Sequence, residues 1–258
     1  MRLYLKYLRA YYISIMTYKY SVILTIIGQF LSSFFMLLGV TFLFNNFYSL
    51  AEFTYFEILL CYANILLSFS LAEFFCRGFD IFSYLLRNGI FDRILLRPRS
   101  AFFQTLASTF EISRIGKLIQ AIVVYLWIIP KNNISWTFFN IYIQIMMVFC
   151  GFLLFSCLFI VHASLCFYTT DKIELFNIIT DGSKEFGKYP LAVYGNKTLK
   201  FFTYIIPIAC IQYYPLCFLL KKTDNILYAV SPIYALIFII PTFFLWSICL
   251  KHYKSTGS

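Results

Sequence analysis

Long apolar runs, separated by short polar segments, dominate the pattern of this chain. The clear runs cover residues 21–44, 55–75, 102–129, 136–165 and 227–250. A run of about 18 or more apolar residues with almost no charge is typical of a membrane-spanning helix, because such a helix crosses a hydrocarbon layer about 30 Å thick. The run at 102–129 is polar in its first half and apolar in its second half. The pattern predicts an all-α integral membrane protein.

The segment 171–220 fits this pattern less simply. Residues 171–200 carry many charged side chains, whereas residues 199–220 are apolar but interrupted by Pro207 and Pro215. Either 199–220 forms the fifth crossing, or 171–190 crosses while packed against protein and the proline-broken run enters the outer face and returns. Re-entrant backbone is tolerated where protein or water surrounds it. The pattern alone leaves both alternatives open.

Composition supports the membrane assignment. The chain is 61% hydrophobic and 12% charged, against roughly 45–50% and 25% in soluble domains. The formal net charge of +10 would suggest a nucleic-acid partner for a soluble domain. Here the basic residues flank apolar runs, so we expect anionic lipid head groups as their counter-ions and no nucleic-acid partner.

The uneven distribution of basic residues predicts an orientation. Lys and Arg collect in cytoplasmic loops, and they are concentrated in residues 1–20 and 77–117. Residues 1–20 also carry tyrosines at helical spacing, which is typical of an amphipathic helix in the membrane interface. We therefore expect both termini and the loop 76–100 in the cytoplasm, which requires an even number of crossings, and six fits best. The basic residues of the interfacial helix are Arg2, Lys6, Arg9 and Lys19.

The segment from Gly89 to Pro98 predicts a glycine turn and a short amphipathic helix that the proline ends. Phe91 and Leu95 lie four residues apart, so we expect them on one apolar face. A short helix on a cytoplasmic loop can dock in a groove of another protein. The alternative interpretation is a basic loop that only anchors the topology.

Candidate chemistry is sparse. Gly182 to Tyr189 resembles the phosphate-binding pattern GxxxxGK[ST], but Tyr189 stands where a small Mg²⁺-binding hydroxyl is required. The sequence offers no Ser/His/Asp set, no cysteine–histidine pairing and no metal-ligand spacing. We therefore expect no catalytic residue, metal site or cofactor on this chain.

Three segments of the chain resemble the six-span permeases of ABC-2-type exporters, in a branch formerly of unknown function. They are 89–100 followed by Phe103-Gln104, the stretch from Lys188-Tyr-Pro-Leu191 through Pro207 to Tyr214-Pro215, and the closing Tyr253-Lys-Ser-Thr-Gly257. The resemblance implies a single ABC-2-type transmembrane domain over residues 1–258 in a bacterial plasma membrane. It also implies two permease subunits, identical or homologous, and two ABC ATPase subunits that bind ATP and Mg²⁺. The exported substrate would be hydrophobic or amphipathic: a drug, a peptide or a lipid-like compound.

The resemblance also implies roles for particular segments. Residues 1–20 would form the interface helix, 76–100 the coupling loop that enters the ATPase groove, and 188–215 the last crossing together with the re-entrant outer region. This favours 171–190 as the fifth crossing. The implied coupling residues are Gly89, Phe91, Asp92, Arg93, Leu95, Leu96, Arg97 and Pro98, with the charged ones available to pair with the ATPase. The candidates for the outer region or the substrate path are Tyr189, Pro190, Pro207, Tyr214 and Pro215.

An ion-gradient-driven secondary transporter or a channel is the alternative function. Such carriers favour paired intramembrane acids and inverted repeats around discontinuous helices. Here Pro207 and Pro215 are the only hint of a broken helix. The sequence therefore favours a non-catalytic permease subunit, without specifying the substrate or whether the two permease subunits are identical.

Overall fold

The fold is known from a computed structural model, which describes residues 2–46, 53–132, 134–169 and 174–254. Most of the predicted polar turn at 45–52, the start of the polar segment at 171–173 and residues 255–258 lie outside the described residues. Helices account for 83% of the structure. The predicted all-α class is confirmed.

The first half of the chain forms eight α-helices. They are α1 (Arg2–Met16), α2 (Lys19–Asn46), α3 (Tyr55–Phe75), α4 (Arg77–Asp80), α5 (Phe82–Arg87), α6 (Ile90–Leu95), α7 (Ala101–Leu106) and α8 (Ile115–Ile128), with a 3-10 turn at Ile112–Arg114 before α8.

The second half begins with the longest helix and ends with a nearly continuous pair. Its helices are α9 (Phe138–Thr169), α10 (Glu174–Gly187), α11 (Asn196–Tyr204), α12 (Ile208–Ile211), α13 (Tyr213–Leu219), α14 (Ile226–Ala235) and α15 (Ile239–His252), with 3-10 turns at Leu191–Tyr194 and Leu236–Phe238.

Four helical stretches in the described part of the chain are long and apolar enough to cross a membrane. They are Lys19–Phe42, Tyr55–Arg87, Phe138–Thr169 and Ile226–His252. A fifth candidate combines α11 with α12 and α13, which are bent by 86° relative to each other, as in a broken span or a re-entrant loop. The bend lies between Tyr204 and Ile208, at the break that Pro207 predicts. The described residues thus contain four candidate spans, or five with the bent pair, and the count of six crossings stays a prediction.

The predicted third span at 102–129 is wrong as one continuous helix. The chain leaves the helical conformation after Leu106 and resumes it at Ile115, so that α8 has 14 residues and is about 21 Å long at 1.5 Å per residue. The polar half of the run has partners elsewhere: Glu111 pairs with Arg77 at 3.1 Å and Arg114 pairs with Glu73 at 3.1 Å. We attribute the break to these ion pairs, because a straight helix would leave the same groups in an apolar environment.

Helices α3 and α9 form the buried centre of the bundle, with α8 and α2 layered on one side and α15 packed along α9. The α2–α8 contact depends on Gly116, where an added Cβ would lie 2.2 Å from the carbonyl oxygen of Ile26. One end of the bundle, here called the loop end, carries α4 to α7 with the C-termini of α9 and α15. The opposite end carries the start of α3 beside Trp127, whose ring lies 5.8 Å from that of Phe56.

Candidate functional site

The segment from Gly89 to Pro98 lies at the loop end and has the predicted local structure. Gly89 adopts φ 61° and ψ 14°, a left-handed conformation that glycine tolerates without steric cost. Helix α6 follows at once and ends at Leu95, before Pro98. The prediction of a glycine turn followed by a short helix is confirmed.

Phe91 does not lie on the outward face of α6, and this part of the prediction is wrong. Its side chain is 0% exposed and its ring lies 4.9 Å from Phe82, 5.3 Å from Phe167 and 5.3 Å from Tyr253, measured between centroids. Burial of Phe91 and Ile94, three residues apart, defines the inward face of α6. Leu95, at the end of α6, is 43% exposed, so the two predicted anchors do not form one exposed surface.

Trp246 completes this group of rings, with its centroid 5.2 Å from that of Phe167 and 5.4 Å from that of Phe82. We call Phe82, Phe91, Phe167, Trp246 and Tyr253 the aromatic cluster. It joins α6 to the loop-end parts of α9 and α15. Edge-to-face pairs of this kind contribute about 0.5–1.5 kcal/mol beyond the area that they bury.

Asp92 is also engaged within the chain. The hydroxyl of Tyr253 donates to Oδ1 of Asp92 at 2.9 Å. Partial burial, reinforced by this carboxylate, raises the pKa of Tyr253 to about 12. The expectation that Asp92 offers its charge to a partner is therefore corrected: in this structure it fastens α6 to the residue that follows α15.

The end of the segment, from Leu95 onward, is exposed, as is Arg93. Leu96 is 87% exposed and Leu95 is 43% exposed. Basic and rigid residues surround them, and all are exposed: Arg93, Arg97, Pro98 and Arg99. We call Arg93, Leu95, Leu96, Arg97, Pro98 and Arg99 the loop surface.

A glutamine from the next helix holds this surface in place. The side-chain amide of Gln104, on α7, donates to the carbonyl oxygens of Ile94 at 3.2 Å and Arg99 at 3.0 Å. Phe103-Gln104 belongs to one of the three segments that resemble ABC-2-type permeases, but the resemblance implies no role for it. Tyr253 was likewise only part of the closing match, and nothing in the local sequence indicated that it would contact α6.

Helix α1 packs beside this site. Tyr4 and Tyr11 lie against Phe110 with centroid distances of 5.2 and 5.9 Å, while Lys6 and Arg9 are exposed. This two-sided arrangement fits the predicted amphipathic helix. The predicted bounds are corrected, because α1 ends at Met16 and Lys19 begins α2; Arg2 begins α1, and its side chain is not among those described.

The five predicted outer-region residues do not form one group. Pro207 and Tyr214 line an apolar cavity of about 620 Å³ between the bent segment and the last span. Tyr189, Pro190 and Pro215 are not among its lining residues: Tyr189 packs near the opposite end, Pro190 precedes a 3-10 turn, and Pro215 is buried in α13.

The segment that resembles a phosphate-binding loop is helical. Gly182 to Gly187 belongs to α10, so its backbone N–H groups are directed along the helix and do not form a cradle. Lys188 instead pairs with Glu185 at 2.7 Å. Among the described residues, no group of three or more His, Cys, Asp or Glu side chains is placed to hold a metal ion.

Comparison with known proteins identifies the family. No curated protein and no solved structure matches the chain. A family model described as ABC-2 family transporter protein matches residues 11–257, which is nearly the whole chain. Members of this family are membrane permease subunits that work with an ABC ATPase. The chain therefore belongs to the ABC-2 transporter family and is a membrane permease.

Proposed function

We propose that this chain is the non-catalytic, membrane-spanning permease subunit of an ABC exporter that moves a hydrophobic or amphipathic substrate out of the cell. Two copies, or this chain and a homologue, would pair in a bacterial plasma membrane surrounded by lipid. ATP and Mg²⁺ would bind to separate ATPase subunits. Both termini and the loop end would face the cytoplasm, as the basic residues favour.

One observation carries the proposal: the loop surface presents an exposed leucine, Leu96, between basic side chains, and the helix before it, α6, packs on the aromatic cluster through Phe91. An apolar side chain on a short helix suits a hydrophobic groove, and surrounding charges suit its rim. Because α6 is fixed to the ends of α9 and α15, a partner that moves α6 would move two long helices with it. A loop that served only as a topological anchor would need neither the exposed leucine nor this attachment.

Purification of the tagged full chain from membranes of its own host tests the partnership. We expect an ABC ATPase to remain bound in mild detergent and hydrolysis of ATP to belong to that chain. An ion-gradient-driven carrier or a channel, the alternative function, would purify without an ATPase. Recovery of transport-competent protein without any ATPase would overturn the proposal.

Accessibility of single cysteines tests the orientation. All eight native cysteines are buried, so an impermeant thiol reagent should react mainly with an introduced residue. We expect Asn88→Cys at the loop end to react only in inside-out vesicles and Asn225→Cys at the opposite end to react in intact cells. The reverse result would place the loop surface outside the cell, where no ATPase could reach it.

A further inference from the structure

A polar cavity of about 330 Å³ lies inside the loop end, between α3, α8, α9 and α10. It is distinct from the apolar cavity beside Pro207, and charged side chains of both signs line it. Ionisable groups within membrane-spanning segments are rare and usually mark a path for a polar ligand. The volume equals that of about ten water molecules, each with a share of about 30 Å³, which is room for a small head group.

One wall of the polar cavity has an excess of positive charge. Glu73, whose side chain is 8% exposed, lies between Arg114 at 3.1 Å and Lys117 at 3.3 Å, so one carboxylate serves two cations. Arg114 also donates through Nη1 to Gln29 at 2.8 Å. Its Nε is buried and has no hydrogen-bond partner among the described residues. This wall therefore retains a positive charge and a buried donor for an anionic group.

The wall around Arg77 has the opposite balance. This guanidinium is shared by two carboxylates, Asp80 and Glu111, with the second at 3.1 Å. Asp80 lines the cavity and Glu111 lies behind Arg77, outside the lining. One cation between two carboxylates leaves this cluster with a net negative charge, which Asp80 presents to the cavity. A third pair, Lys184 with Asp181 at 2.8 Å, is neutral, and its aspartate is exposed. The cavity is therefore bipolar, with an anion-binding wall and a cation-binding wall.

We propose that the polar cavity binds the zwitterionic head group of an amphiphile, with its phosphate or carboxylate at Arg114 and Lys117 and its ammonium at Asp80. A purely anionic head group would be repelled by the second wall, and a purely cationic one by the first. Gln29, the partner of Arg114, belongs to α2, whose surface is largely exposed and apolar, so an alkyl tail has a suitable path beside the cavity. The inference rests on the proposed export of an amphipathic substrate and specifies its head group.

Binding to the full chain in lipid nanodiscs, without any ATPase, tests this inference. Native mass spectrometry would compare three single-chain amphiphiles with the same alkyl chain and a phosphoethanolamine, a phosphoglycerol or an uncharged glycerol head group. We expect the phosphoethanolamine compound to bind about tenfold more tightly than the phosphoglycerol compound, as one added charge-assisted hydrogen bond implies, and more tightly still than the uncharged compound, which lacks both charged groups. Equal binding of the three compounds would overturn the inference.

Two substitutions test the contributions of the two cavity walls to binding separately. Lys117→Gln should weaken the phosphoethanolamine and phosphoglycerol compounds, whereas Asp80→Asn should weaken only the first, each by about tenfold. The matched controls, Lys197→Gln and Asp224→Asn, change exposed residues outside the cavity and should change nothing. Asp80→Asn leaves the Arg77–Glu111 pair in place, so it keeps the test informative if Lys117→Gln does not fold. Binding by Asp80→Asn equal to that of its control would show the charges to be only structural.

This test is independent of the test of the proposed function. Discrimination among the head groups by a chain that recruits no ATPase would support head-group binding in the cavity and refute the proposed ATP-driven export. A chain that recruits an ATPase but binds the three compounds equally would support the proposed function and refute head-group binding in the cavity.

Discussion

Truncation of Leu96 separates docking from folding. Leu96→Ala removes a side chain that is 87% exposed in the isolated chain, so the free energy of unfolding should change by no more than about 0.5 kcal/mol. If the ATPase groove buries this leucine, the loss on docking should be about 1.5–3 kcal/mol, the usual value for full burial of a leucine side chain. That corresponds to a loss of about 10- to 150-fold in affinity.

Phe91→Ala should have the opposite profile. Phe91 is fully buried against rings of the aromatic cluster, and Phe→Ala in a core typically costs about 3–5 kcal/mol of stability. Any loss of ATPase binding by this variant should therefore accompany a lower unfolding temperature. Leu95→Ala, at a residue that is 43% exposed, should fall between the two.

The assay has two readouts on the same preparations. Titration of purified ATPase onto the immobilised chain gives the affinity, and a thermal unfolding scan in detergent gives the stability; Tyr204→Ala, which truncates a residue 82% exposed outside the loop surface, is the matched control. Unchanged affinity in Leu96→Ala would refute the role of the loop surface. Unchanged stability in Phe91→Ala would refute the structural role given to the aromatic cluster.

Three further substitutions test single contacts. Tyr253→Phe removes the hydrogen bond to Asp92 and should lower stability by about 1 kcal/mol, measured by thermal unfolding; an unchanged midpoint would mean that water replaces the bond. Gly89→Ala should cost about 1 kcal/mol because φ is 61°, whereas Gly89→Asn should cost less, and equal effects of the two would argue against conformational strain. Gly116→Leu should force α2 away from α8, since even a Cβ would lie 2.2 Å from the carbonyl oxygen of Ile26. It should therefore reduce the yield of folded protein on size-exclusion chromatography. The control Gly28→Leu should reduce this yield far less, because a Cβ there meets nothing within 4 Å.

Hydropathy predicted the long helices because each of them consists of a continuous apolar run that can be recognised without knowledge of its neighbours in the fold. A run such as 136–165 is apolar throughout, and α9 follows it to within a few residues at each end. The turn at Gly89 was equally local, since glycine before a helix and proline after it act within a few residues. Both features are decided by neighbours in sequence.

The inward face of α6 could not be predicted in this way. Phe91 and Leu95 are apolar and four residues apart, so helical spacing places them on one face but does not say whether the rest of the chain covers that face. That face is covered by Phe167, on α9, and Tyr253, just after α15, which come from far along the chain and pack against Phe91. The break in the third run has the same origin, because Glu73 and Arg77, on α3 and α4, supply the partners of the polar half.

Under the proposed function, these distant contacts decide which helices respond to the ATPase. Protein interiors are close-packed and transmit displacement, so a force on Leu96 reaches the aromatic cluster through α6 and reaches α7 through Gln104. Besides Phe82 of α5, the cluster contains side chains from the ends of α9 and α15, whereas α3 is held at its loop end by the ion pairs of Glu73. A displacement of α6 should therefore shift α9 and α15 relative to α3. The polar cavity lies between α3 and α9, so the same displacement would change its width, and head-group binding and ATPase docking would be linked through the relative position of these two helices.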